Sequence, residues 1–295
     1  MKRNSYWKNF LGVSDEYSSW ENSKVAVVPV PYDITTSYKK GTHGGPMAIL
    51  SASRQVEYYD SDFDCEPYKA GIYTLPPLPV ENLLPEDMLA EVEYAVRDMV
   101  EGGKLPLVLG GEHSISLGAL RALKSNYTDL TVIVIDAHSD LREEYHDTPF
   151  SHACVSYQMA KLAPLVQIGI RSMEESKYTS HKKINTTVFY PKDLKNNKWL
   201  DEVVSLCNNN VYISIDIDGL DPGICPGTGT PEPGGLSWEH LISLFDKVSG
   251  QSNIVGADIV ELAPLKNQHR SDFLVAKLAY KMVGYLVCSR KVSNT

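Results

Sequence analysis

Cysteine is scarce in this 295-residue chain. The five present (Cys65, Cys154, Cys207, Cys225 and Cys288) are odd in number and share no short paired spacing. That usage supports neither a disulfide framework nor a thiolate zinc site, and it fits a reducing, cytoplasmic compartment. A long uncharged apolar run is missing too. The longest apolar segment, Phe273 to Cys288, is broken by Lys277 and Lys281 and reads as a helix lying on the core, not as a membrane span. The N-terminal stretch MKRNSYWKNFLGVSDEYSSW offers no apolar segment suited to a signal peptide. Basic residues are outnumbered, 28 against 37 acidic ones, leaving a formal net charge of −9. Such a surface repels nucleic acid and anionic lipid and draws small cations, so neither nucleic acid nor a membrane is expected as a partner.

What remains is ordinary globular material, with 43% hydrophobic and 22% charged residues. Short β-branched runs at Lys24 to Val30, Leu105 to Leu109, Leu130 to Ile135, Leu165 to Ile170, Thr186 to Tyr190, Val211 to Ile217 and Ile254 to Val260 read as buried strands. Helical patterns lie between several of them. In Pro85 to Val100 apolar residues recur every three or four positions behind an acidic first turn, and further helices are expected after Ser114 and after Ser237. Strands alternating with helices predict a mostly parallel sheet covered on both faces. No repeat, low-complexity tract or linker divides residues 1–295, so one domain is expected. The stretch DPGICPGTGTPEPGG, Asp221 to Gly235, follows directly on a strand and reads as an ordered loop at the sheet edge.

Open parallel sheets place their ligands beyond the carboxyl ends of the strands. In this sequence the polar clusters sit there. Gly110-Gly111-Glu112-His113-Ser114 follows one apolar run, and Asp136-Ala137-His138-Ser139-Asp140 follows another. Asp216 and Asp218 close a third, and Glu261 a fourth. Extended backbone sends alternate side chains to one side, so Asp136, His138 and Asp140 can converge, as can Asp216 and Asp218. With His113 they form four carboxylates and two imidazoles, a hard oxygen and nitrogen set suited to divalent ions such as manganese. Six ligands are too many for one ion. Two ions sharing carboxylates would balance the charge and ionise a water held between them near neutral pH. A single D-x-H or D-x-D is more often a turn or a helix cap. Their combination at the ends of apolar strands is not explained that way, because so much buried negative charge needs cations.

GGEHS at 110–114, DAHSD at 136–140, SIDIDGLDP at 214–222, GTGTPEPGG at 227–235 and DIVELAP at 258–264 resemble the ureohydrolase family of arginases and agmatinases, in the family's order and over more than half the chain. The segment around Ser37-Tyr38, Gly41-Thr42 and Gly45-Pro46 is similar to the family's N-terminal loop. The resemblance implies a three-layer α/β/α fold with a mostly parallel sheet of about eight strands, assembled as a homo-oligomer, a trimer or hexamer. It implies two Mn2+ ions, other divalent ions being possible. His113, Asp136, Asp140 and Asp216 would hold one ion, and Asp136, His138, Asp216 and Asp218 the other. A hydroxide bridging the ions would attack the guanidinium carbon, with Asp140 orienting it. Glu261 would pair with the guanidinium, and His152 would pass a proton to the departing amine. His43, His146, His181, His240 and His269 fall in no ligand spacing and read as surface or turn residues. Cys154 and Cys225 read as packing residues beside the cleft, with some sensitivity to thiol reagents.

Substrates of the family differ in what hangs from the guanidinium. The loop Leu141 to Phe150 resembles the agmatinase version, and its acids Glu143, Glu144 and Asp147 favour a cationic tail, with Glu143 and Glu144 as candidate contacts. The expected reaction is hydrolysis of agmatine to putrescine and urea, a polyamine-forming step. Guanidinobutyrate, arginine and guanidine stay open as alternative substrates, because His43-Gly44 and Ile224-Cys225 depart from the family pattern. A two-metal phosphoesterase would need basic residues to clamp phosphate, for which Arg142 and Arg171 are the main candidates. A non-catalytic homologue would be expected to lack a ligand, and none is lacking here.

Overall fold

In the computed structural model, which describes residues 5–174 and 184–288, the apolar runs form one sheet. Its strands are β1 (Val25–Val30), β2 (Ile72–Thr74), β3 (Leu105–Gly110), β4 (Leu130–Ile135), β5 (Leu165–Ile168), β6 (Thr186–Phe189), β7 (Asn210–Asp216) and β8 (Asn253–Val260). They pair in the order β2-β1-β3-β8-β7-β4-β5-β6, and every neighbouring pair is parallel. Seven of these strands follow the sequence pattern. The eighth, β2, spans three residues behind Gly71 and is too short to show a period. Strand β5 stops at Ile168, earlier than expected, because Gly169 takes a left-handed φ of 96° that ends the extended run.

Helices α1 (Asp15–Ser18), α2 (Gly45–Ser53), α3 (Pro85–Glu101), α4 (Ser116–Asn126), α5 (Val155–Ala160), α6 (Lys198–Ser205), α7 (Trp238–Ser249) and α8 (Arg270–Val287) cover the sheet. Strand residues alternate between two cores. Ile133 and Ile135 of β4 pack in the cluster that holds α2, α6, α7 and α8, and Val132 and Val134 pack in the one that holds α3, α4 and α5. This is the α/β/α arrangement, and it explains why β4 is buried along its whole length. Helix α3 starts on Pro85 with Glu86 and Asp87 in its first turn and turns Met88, Leu89, Val92, Val96 and Met99 inward. At the start of α7, Ser237 Oγ accepts from His240 N at 3.2 Å while the His240 ring accepts from Ser237 N at 3.2 Å, so His240 serves as a cap residue.

Helix α8 lies on the core, as its apolar pattern requires, but one of its lysines is buried. Lys281, 5% exposed, places its ammonium 2.6 Å from Asp60 Oδ1 and also bonds Asp62. Phe63 of the same turn meets the Tyr285 ring at 4.9 Å and occupies the space that a Cβ on Gly284 would need. Beside them Cys65 Sγ and Cys288 Sγ lie 3.3 Å apart, a pairing across 223 residues that no short spacing announces. Among the described residues no helix is long and apolar enough to cross a membrane.

Candidate active site

The carboxyl ends of β3, β4, β7 and β8 bring the polar clusters together, and local backbone chemistry aims each one. After β3, Gly111 N donates to Val30 O and Glu112 N to Tyr32 O, at 2.9 and 2.7 Å. A Cβ on Gly111 would stand 1.9 Å from Tyr32 O, so only glycine lets the chain pass and start the 3-10 turn His113–Ile115. After β4, Arg171 N and Ser172 N both donate to Ala137 O, and His138 N donates to Asp136 Oδ1 at 2.6 Å across a bend at Ala137, which sets the two side chains together. Asp140 then turns away with φ 46°, so its convergence with Asp136 comes from a left-handed residue and not from strand alternation. Asp216 likewise reaches Asp218 through a turn. Its Oδ1 accepts from Asp218 N at 2.9 Å and caps the 3-10 turn Ile217–Gly219.

The result is a compact cluster. His113 Nδ1 lies 3.1 Å from Asp136 Oδ2, 3.3 Å from Asp216 Oδ2 and 3.5 Å from Asp140 Oδ2. His138 Nδ1 lies 2.9 Å from Asp218 Oδ2 and 3.7 Å from Asp136 Oδ1. Two groups, His113 with Asp136 and Asp140, and Asp136 with His138 and Asp218, each offer three atoms within 4.8 Å of one another. Asp136 belongs to both groups. All six residues meet in one place, with Asp216 beside His113.

The electrostatics of the cluster call for cations. Burial and neighbouring carboxylates raise Asp136 and Asp216 above the usual carboxylate range. Burial also disfavours charge on His138, but hydrogen bonds to Asp136 and Asp218 outweigh it and push this imidazole up to about 12. Burial of Asp218 is likewise outweighed by its bond to His138, which holds it below its ordinary value. His113 Nδ1 and Asp136 Oδ2 are buried without a hydrogen-bond partner although they face each other. Two lone-pair atoms set at that distance suit a bound cation, and the absence of sulfur in the set suits a hard one such as manganese.

A second layer fixes which nitrogen of His113 is offered. Its Nε2 contacts Ser214 Oγ at 3.0 Å, and Ser214 donates its own proton to Asp258 Oδ1 at 2.9 Å. Tyr212 donates to the other oxygen of Asp258. The serine can therefore only accept from Nε2, so in the neutral ring that a metal needs the lone pair lies at Nδ1 towards the carboxylates. Burial disfavours charge on His113, but hydrogen bonds to Asp136, Asp140 and Asp216 outweigh it and raise the ring well above its ordinary value until a cation takes the proton's place. Sequence reasoning gave these residues no role. Their signal was polarity inside apolar strands: Tyr212, Ser214 and Asp216 are two apart on β7, and Ser214 pairs with Asp258 of β8.

The cluster opens into a cavity of about 370 Å3 whose wall includes His138, Asp140, His152, Asp216, Asp218 and Glu261. Glu261 sits there with φ 64°, 8% exposed, and accepts from His113 N at 2.7 Å. Burial, then the charge of Glu112, raises its carboxyl well above the ordinary value, so a cationic guest would favour its charged form. His152 contacts Thr35 and Ser151 at the rim. Glu143 and Glu144 stand exposed and outside the described cavity wall, which Arg142 and Tyr145 of the same loop reach instead, because Leu141 is the residue buried at the loop's start. The two arginines are engaged. Arg142 pairs with Glu174 at 2.5 Å, and Arg171 spends its guanidinium on backbone carbonyls including Asp218 O and Glu232 O, strapping the Asp221–Gly235 loop down. Neither is arranged as a phosphate clamp.

His43, bonded to Asp33, and His269, bonded to Asp272, are exposed, and His146 occupies a turn at φ 51°. His181 lies outside the described residues. Burial pushes the Cys154 thiol up to about 11 and the Cys225 thiol up to about 12, which favours the neutral thiol and suits packing residues.

Comparison with known proteins agrees with this geometry. The Arginase family matches residues 23–284. The chain is 39% identical over 287 residues to the N(1)-aminopropylagmatine ureohydrolase of Synechocystis sp., covering 94% of each. It is 34% identical to the agmatinase of Bacillus cereus, covering 84% of this chain and 87% of that one. The crystal structure of the agmatine ureohydrolase of Thermoplasma volcanium superposes with a TM-score of 0.83 at 33% identity, covering 94% and 95% of the two chains. The α/β/α frame, the clustered ligand atoms and these likenesses together establish that the chain belongs to the arginase family, whose ureohydrolases are metal-dependent hydrolases of guanidino compounds.

Proposed function

We propose that the chain hydrolyses the guanidinium group of agmatine, giving putrescine and urea, at a pair of divalent cations held by His113, Asp136, His138, Asp140, Asp216 and Asp218. The observation that carries this reading is the pairing of two hard-ligand groups with a buried carboxylate, Glu261, in one cavity wall. When bound, the ions offset the clustered carboxylates and activate water at neutral pH. Manganese is the proposed metal. The chain's own residues do the rest. Glu261 faces the planar cation and orients it by charge-assisted hydrogen bonds. His152 at the rim carries a proton to the departing amine, since an imidazole can take up and give a proton at one ring nitrogen. Asp140, turned by its left-handed backbone, accepts a hydrogen bond from the attacking water and directs it.

A second reading is that the tail carries an added aminopropyl group, which the name of the Synechocystis relative favours. The chemistry at the guanidinium is unchanged, and the product would be a triamine. Urea release from agmatine, N1-aminopropylagmatine, arginine and guanidinobutyrate, measured with manganese, tests both readings. Turnover of a cationic-tailed substrate supports them, and activity confined to the carboxylate-bearing pair rejects them. Assembly as a cytoplasmic trimer or hexamer is proposed with this reading, and light scattering in solution checks the assembly.

A further inference from the structure

Thr35 lies on the loop after β1, in no motif singled out in the sequence, and it joins two groups that are far apart in the chain. Its backbone N and its Oγ1 contact Glu112 at 2.6 and 2.5 Å, and Ser114 Oγ donates to the same carboxylate at 2.5 Å. Its Oγ1 also receives His152 N at 3.0 Å and stands 3.2 Å from His152 Nδ1. We infer that Thr35 is a positioning residue that holds His152 with Nδ1 protonated, so that Nε2 is the nitrogen available to the cavity.

The inference follows from counting protons. A hydroxyl has one proton to give, and Thr35 gives it to Glu112. Towards His152 its oxygen can then only accept, and one lone pair already takes the backbone N–H. The other accepts from Nδ1–H. Ser151 Oγ, also 3.2 Å from Nδ1, places no such limit, because its hydroxyl can turn to give or accept. Thr35 therefore decides the tautomer. A neutral ring held this way has its lone pair at Nε2, as a proton carrier facing the cavity requires. The contact also fixes the ring at the rim, since backbone and ring of His152 are both tied to one oxygen.

This inference rests on the proposed role of His152 but has a separate readout. The test compares Thr35→Val, which removes the hydroxyl at nearly constant volume, with Thr35→Ser, which restores it. Long-range nitrogen-proton NMR of [15N]histidine-labelled, metal-free protein reports the tautomer, with the His152 signal assigned by its loss in His152→Asn. The native and Thr35→Ser proteins should show protonated Nδ1, and Thr35→Val should lose that preference. In steady-state kinetics, Thr35→Val should lower kcat about tenfold or more, with KM changed less than about twofold, and Thr35→Ser should recover most of it. An unchanged His152 tautomer in folded Thr35→Val overturns the inference, as does a native ring protonated at Nε2. Full activity in His152→Asn would instead reject the proton-carrier role, and the tautomer measurement would still decide whether Thr35 sets the ring.

Discussion

His113 Nε2 stands 3.0 Å from Ser214 Oγ, and Ser214 is committed as a donor to Asp258, so the neutral ring turns its lone pair at Nδ1 towards the carboxylates. Ligand orientation at this site is thus set one layer behind the ligands. Ser214→Ala should lower manganese affinity about 10- to 100-fold while leaving the fold intact. Isothermal titration of the metal-free variant checks this, with circular dichroism as the control.

Asp136 belongs to both ligand groups, whereas His138 belongs to one. Asp136→Asn should therefore deplete both ions and His138→Ala mainly one. Metal analysis after gel filtration distinguishes the two, and unchanged metal content in both variants would count against the site.

Protons compete with the metal here. His138 is pushed up to about 12 in the metal-free protein, so at neutral pH an ion must displace its proton. Affinity should rise with pH, and binding should release protons, seen as a dependence of the titration heat on buffer ionisation enthalpy. The sign for stability of the metal-free fold is opposite. A raised histidine stabilises it fully below the unfolded value of about 6.5, and that contribution fades as pH climbs towards the folded value. Metal-free protein should lose melting temperature on going from pH 6 to pH 9 relative to His138→Ala.

Glu261→Gln keeps an oxygen to accept from His113 N but cannot become anionic opposite a cationic guest in the cavity. It should retain its metal and lose roughly 100-fold or more in kcat/KM for agmatine. Urea assays beside metal analysis check the separation.

Lys281 and Asp60 form a buried pair, 2.6 Å apart. Lys281→Ala leaves Asp60 with the more distant Lys277 ammonium, 3.8 Å away, and should cost up to about 3 kcal/mol, readable as a drop of roughly 5–10 °C in melting temperature. Thermal unfolding at constant metal loading measures it.

The frame and the ligand cluster were legible because they are written locally. Strand β4 is a nearly continuous apolar run and β7 alternates Val211, Ile213 and Ile215 with polar residues, and the candidate ligands lie within a few residues of each other in DAHSD and SIDIDG. What stayed hidden depends on distant pairs. Lys281 reads as an interruption of an apolar helix until the fold sets Asp60 beside it, 221 residues away. Thr35 and His152 meet across 117 residues, and Cys65 and Cys288 across 223. The loop acids lie off the cavity wall for a related reason. Charge at Glu143 and Glu144 is visible in sequence, but which side chains of a turning loop face inward depends on its backbone, and here Arg142 and Tyr145 do. Residues that do cluster meet by another route, since Asp140 and Asp218 converge through a left-handed residue and a 3-10 turn.

The proposed chemistry needs six side chains to hold two cations close enough to act on one water. Titration of metal-stripped protein with Mn2+, followed together by electron paramagnetic resonance and urea release from agmatine, tests it directly. Two ions per chain, a spin-coupled signal and activity that appears with the second equivalent are the expected result. One uncoupled ion per chain at full activity would contradict it.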